Sequence, residues 1–137
     1  MDGIYSRDVA RICGVSLRQI QWWDERGVVS PKHVDGRRVY SQAEVLEILV
    51  IVDLGLKGFS LQRIRTVVKA LQIARGQRLL QSALLSQRPV YLLTDGDAIR
   101  IAESAERVVE ILKGACNGMV LVCITDHARR LMASVAA

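Results

Sequence analysis

Apolar residues at helical spacing begin four times before residue 72, each time just after a serine able to cap a helix: Ser6, Ser16, Ser41 and Ser60. Two of these serines extend into capping boxes, Ser16-Leu17-Arg18-Gln19 and Ser41-Gln42-Ala43-Glu44, where the third side chain can reach back to the cap amide. They predict helix starts at 16 and 41. Between them, Ser30 to Tyr40 carries Asp35-Gly36, which supplies the positive φ angles of a two-residue hairpin. From Ser41 to Leu54 the chain is almost continuously apolar, until Lys57-Gly58-Phe59-Ser60 breaks it and launches a helix through about Leu71. The expected order is helix, helix, hairpin, helix, helix.

Beyond Gly76, Leu79, Leu80, Ala83 and Leu84 share one face of a short helix that Pro89 ends. The period then changes. Val90 to Thr94, the turn Asp95-Gly96 and Asp97 to Ile101 read as a second hairpin, followed by a helix from Ser104 to Lys113. A buried strand from Gly118 to Ile124 and a last helix, capped by Asp126 and running to about Met132, complete a ββαβα tail. The fold class expected is α+β, mainly α: a winged helix-turn-helix over 1–75, a short linking or dimerisation helix over 76–88, and a small α+β unit over 89–137.

Charge sharpens this division. The net charge of +5 favours a polyanionic partner, and the excess is N-terminal, with 12 Lys/Arg against 8 Asp/Glu in residues 1–75 but 7 against 6 in 76–137. The N-terminus lacks a basic region leading into an apolar run, and no apolar run reaches the roughly 20 residues that cross a bilayer, so a cytoplasmic protein is expected. Three cysteines without paired spacing, Cys13, Cys116 and Cys123, read as reduced thiols, with Cys13 a small core residue.

A helix-turn-helix needs a small residue where its helices cross, a turn residue tolerant of left-handed backbone, and an apolar anchor in the second helix. Ala10, Gly14 and Ile20 meet these needs, with Val9, Ile12, Val15 and Leu17 filling the core. In the second helix Leu17, Ile20 and Trp23 should face inward, leaving Arg18, Gln21 and Trp22 outward. Arg18 can donate to guanine or to a phosphate, Gln21 can address adenine, and the Trp22 indole can donate to a phosphate. Simple solvation would equally account for Arg18 and Gln21, whereas an exposed indole marks a contact surface. In the hairpin, Arg38 and Tyr40 share one face and Arg37 and Val39 the other, so Lys32 with Arg37 or Arg38 can straddle phosphates; an ordinary polar hairpin is the plainer alternative.

Taken in order, Val9-Ala10, Gly14-Val15-Ser16, Arg18 to Asp24, Gly27 to Pro31, Arg38-Val39-Tyr40-Ser41 and Gly58-Phe59-Ser60 resemble the MerR-type transcription regulators over about Tyr5 to Leu71. The resemblance implies a homodimer on a two-fold symmetric, inverted-repeat promoter site, bending and untwisting double-stranded DNA there, with RNA polymerase as a candidate further partner. It also implies backbone contacts from Arg38 and Tyr40 in the wing and from a second wing near Lys57. The candidate contact set is Ser16, Arg18, Gln19, Gln21, Trp22, Lys32, Arg37, Arg38, Tyr40 and Lys57. Two features depart from the family pattern: the Gln21-Trp22 pair, and a linking helix too short to hold a dimer alone, which shifts that task to the tail.

No cofactor or metal is expected, because Cys123 lies in a predicted strand rather than a flexible loop with Cys116. Neither His33 nor His127 sits in a catalytic signature, so no enzyme is expected. A partner-binding alternative is an antitoxin-like autorepressor whose tail holds another protein, and a third is an architectural DNA-bending factor. A tail that binds a small-molecule effector should contain a cavity, and one that binds a protein should expose an apolar groove or sheet edge.

Overall fold

The computed structural model describes residues 3–74, 83, 85, 89–115 and 118–136, and among these the chain is mixed α/β, with six helices and two three-stranded sheets. The first half runs β1 (Ile4–Tyr5), α1 (Ser6–Cys13), α2 (Leu17–Glu25), β2 (Lys32–Val34), β3 (Arg37–Tyr40), α3 (Gln42–Leu56) and α4 (Leu61–Ala74). Helix α1 stops at Gly14, which takes φ +70° and returns its N–H to the Ala10 carbonyl at 2.9 Å. Only glycine holds that left-handed backbone cheaply, and it lets α2 start three residues later.

The serines differ in what they do. Ser41 forms the full capping box: its hydroxyl accepts from the Glu44 N–H at 3.1 Å and the Glu44 carboxylate accepts from the Ser41 N–H at 2.9 Å. Ser16 accepts from the Gln19 N–H at 3.1 Å. Ser6 is the first helical residue rather than a cap, since Tyr5 holds the cap position without a side-chain bond.

The wing is the expected hairpin, extended into a sheet by one more strand. Asp35 and Gly36 turn it with φ of 51° and 76°, as a two-residue turn requires, but β1 adds a third strand, Ile4 pairing with Tyr40 and Tyr5 with Val39. Behind it α3 has no polar face, and Val45, Leu46, Ile48, Leu49, Val50, Ile51 and Leu54 are all buried. A helix apolar on every side must be covered on every side, here by α1, by α4 and by the last helix of the chain.

The tail runs β4 (Tyr91–Thr94), β5 (Ile99–Ala102), α5 (Ala105–Gly114), β6 (Val120–Cys123) and α6 (Ile124–Ala136), with β4 central and antiparallel to both neighbours. One sheet face, with Leu93 and Ala102, packs on Ile111 of α5. The other, with Leu92 and Val122, joins a single buried cluster that extends from Ile4 through α3 to Ala128 and Leu131 of α6. Helix α6 starts directly after β6, so Asp126 lies in its first turn instead of capping it, and the helix continues beyond Met132. The expected linking helix over 76–88 lies outside the described residues apart from positions 83 and 85, and Cys116 lies outside them too. No helix among the described residues is long and apolar enough to cross a membrane.

Candidate nucleic-acid interface

Helix α2 buries Ile20 and Trp23 and turns Arg18, Gln19, Gln21 and Trp22 outward. Leu17 corrects the expected inward line: it is 54% exposed, because as the first helical residue it lies a turn before Ile20, past the end of the small core. Among the described residues Arg18 has no ion-pair partner, which leaves its guanidinium free to donate. The Gln21 amide donates to Glu25 Oε1 at 2.8 Å, and the Arg26 guanidinium lies 5.1 Å from the centre of the half-exposed Trp22 ring. Ser16 serves as the cap of this helix.

The wing is tied to α2 by one carboxylate. Asp24 Oδ2 accepts from Arg38 Nε at 2.6 Å and lies 2.9 Å from His33 Nε2. Burial would raise the Asp24 pKa, but the hydrogen bonds and charges of Arg38 and His33 outweigh it and hold the carboxyl below its ordinary value. Arg38 is therefore engaged inside the protein. Lys32 and Arg37 remain exposed on the wing, with the Arg37 guanidinium 3.9 Å from the centre of the Tyr5 ring.

Tyr40 also departs from expectation. It is 1% exposed, because the strand face it shares with Arg38 is the inner one, and among the described residues its enclosed hydroxyl has no hydrogen-bond partner. Burial pushes its pKa up to about 12. In this structure it is a core residue.

At the second wing, Lys57 Nζ bonds Asp53 Oδ1, while His127 Nε2 of α6 lies 2.8 Å from Asp53 Oδ2. Burial of Asp53 is outweighed by these two partners, so its pKa is lowered. Tail and second wing thus meet on a single carboxylate. Nearby, Arg63 of α4 donates to the Asp95 carbonyl at 3.4 Å and its stem lies against Gly96.

Residues 5–71, which contain all these groups except His127, Asp95 and Gly96, match the family described as MerR HTH family regulatory protein. They form a MerR-family helix-turn-helix domain. Over 139 aligned residues the chain is 27% identical to an HTH-type transcriptional regulator of Mycobacterium bovis, and the same holds for HTH-type regulators of two Mycobacterium tuberculosis strains. Each match covers 98% of this chain and 58% of the relative, so the chain spans about three fifths of those proteins, and its tail is part of the likeness.

Within the MerR domain, sequence reasoning placed Arg18, Lys32 and Arg37 on accessible surface but missed what fixes the scaffold. Asp24 stood in the quoted motif as an acid after two aromatics, and an acid ending a helix before a basic hairpin is the available signal for an ion pair between them. His33, Tyr5 and Asp53 carried no such signal. Cys13 is buried, with its thiol against the Val45 carbonyl at 3.9 Å and its pKa pushed up by burial to about 12, as an inert core residue requires.

Proposed function

We propose that this chain is a transcription regulator that reads an operator through its MerR domain, as a homodimer on an inverted repeat. Arg18 supplies the base or phosphate contact of the recognition helix, flanked by Ser16, Gln19, Gln21 and Trp22. Lys32 and Arg37 grip the backbone from the wing and Lys57 from the second wing. Arg38 sets the wing angle through Asp24 instead of touching DNA. The observation that carries this reading is that link: helix and wing meet at one ionised carboxylate, so they approach DNA as a single pre-set surface, which lowers the ordering cost of binding.

Distortion of the DNA between half-sites is the proposed mode of regulation. The tail is proposed to supply part of the dimer surface, where Val109 and Leu112 of α5 and Leu121 of β6 are exposed apolar groups. Selection of bound sequences from a random DNA pool tests the reading, because a homodimer returns a spaced inverted repeat. Arg18→Ala should then cost about 1 to 3 kcal/mol and relax preference at one base position. Recovery of unrelated sequences would refute the proposal.

A further inference from the structure

Between α4 and the turn that follows α2, at Gly27 and Val28, lies an open cleft of about 550 Å³. Its floor includes Val28, Leu61 and Val68, and its wall includes Gln62, Arg65 and Lys69 of α4. The three wall residues stand at i, i+3 and i+7, one above another on a single helix face. The volume lies within the range of small-ligand sites, and the mixture of an apolar floor with a few converging donors is their usual composition. None of these residues belongs to the contact set of the recognition helix or of either wing.

Arg65 and Lys69 are exposed, and neither forms an ion pair among the described residues. The sequence explains why. Between Asp53 and Asp95 the chain holds no acidic residue, yet it carries Lys57, Arg63, Arg65, Lys69, Arg75, Arg78 and Arg88. The carboxyl that does approach the cleft, Glu47, is buried on α3 and already accepts from Gln72, which lines the cleft, at 3.2 Å. Some surface cations elsewhere are neutralised by a carboxylate one helical turn away, as Arg11 with Asp8, Arg107 with Glu110 and Arg129 with Asp126. Two cations left unanswered over an apolar floor form a site whose charge calls for an anion from outside.

We infer that this cleft binds a phosphate group, with Arg65 providing a planar fork and Lys69 a point charge, Gln62 adding an amide donor, and the apolar floor taking whatever the phosphate carries. The phosphate has two sources, a phosphorylated small molecule or the backbone of DNA running past α4. The whole chain, carrying Arg65→Ala and Lys69→Ala together, is compared with wild type and with a control of equal charge change, Arg107→Ala with Arg129→Ala. Each protein is titrated with inorganic pyrophosphate and with ATP by calorimetry, and separately with the selected operator over a range of salt concentrations.

A free-ligand source gives saturable binding of pyrophosphate or ATP to wild type and control, weakened at least about tenfold in the cleft variant. A backbone source gives no binding of either probe, but a lower operator affinity for the cleft variant and a salt slope reduced by about two. Both altered side chains are exposed, so melting temperatures should be unchanged. A cleft variant indistinguishable from the control in both arms overturns the inference. Failure of wild type itself to bind an operator would count against the regulator reading, and the pyrophosphate and ATP titrations would then decide the cleft alone.

Discussion

Glu47→Gln should make the protein more stable at pH 8 and change it little at pH 5. The carboxyl sits 7% exposed on the mostly apolar helix α3, with one amide donor, Gln72, at 3.2 Å. Burial raises its pKa from 4.5 to about 7, the Gln72 hydrogen bond opposes the rise, and the charge of Glu44 adds to it. A group raised in the folded state stabilises the fold while protonated, so its contribution is complete below pH 4.5 and is lost as pH climbs through about 7. At about 1.4 kcal/mol per unit, ionising this side chain in place costs on the order of 3 kcal/mol, most of it incurred between pH 5 and 8. Glutamine keeps an acceptor for Gln72 and carries no charge. Denaturant unfolding of both proteins, followed by circular dichroism at intervals from pH 5 to 8, should give curves that diverge by about 2 kcal/mol toward high pH. Subtracting one from the other removes the histidines and surface carboxylates that titrate in both. Parallel curves would refute the reasoning, since a carboxyl that ionises freely in the fold is not desolvated.

Three further substitutions test the scaffold. Asp24→Asn should weaken operator and random DNA together, and a double-mutant cycle with Arg38→Ala should show a coupling of about 1 to 2 kcal/mol. Because the Asp24 pKa is lowered, its contribution is present above pH 3.8 and lost as pH falls through the folded value, so the variant should also be less sensitive to acid below about pH 4. Tyr40→Phe removes a buried hydroxyl without a partner and should leave stability unchanged or raise it by about 1 kcal/mol, with operator affinity intact in a gel-shift titration. A tenfold weaker operator complex would make that hydroxyl a contact after all. His127→Ala should cost about 1 kcal/mol in thermal unfolding by taking away one of the two partners of Asp53, and an unaltered melt would show that water replaces the imidazole without loss.

The local parts of this fold were legible because their causes are local. A serine followed three residues later by glutamate can only help a helix begin there, and Ser41 does so; Asp35-Gly36 can only help a chain reverse, and it does. Strand β1 escaped notice because two residues show no period, and it forms only by pairing with β3 some 35 positions later in the chain. The inner face of β3 was equally hidden. Alternation groups Arg38 with Tyr40, but nothing in four residues says which pair turns inward, and a basic residue argues for outward. Asp24 reverses that argument by supplying a partly buried arginine with its counter-charge. Likewise a mostly apolar α3 announces that something must cover it, without naming α6.

Asp53 holds one unit of negative charge and two claimants. Lys57 belongs to the part of the protein expected to touch DNA and His127 to a helix beyond the MerR domain, and each holds a different oxygen of the same carboxylate. The charge that settles the lysine is therefore also the charge that settles the last helix, and a substitution at Asp53 releases both at once.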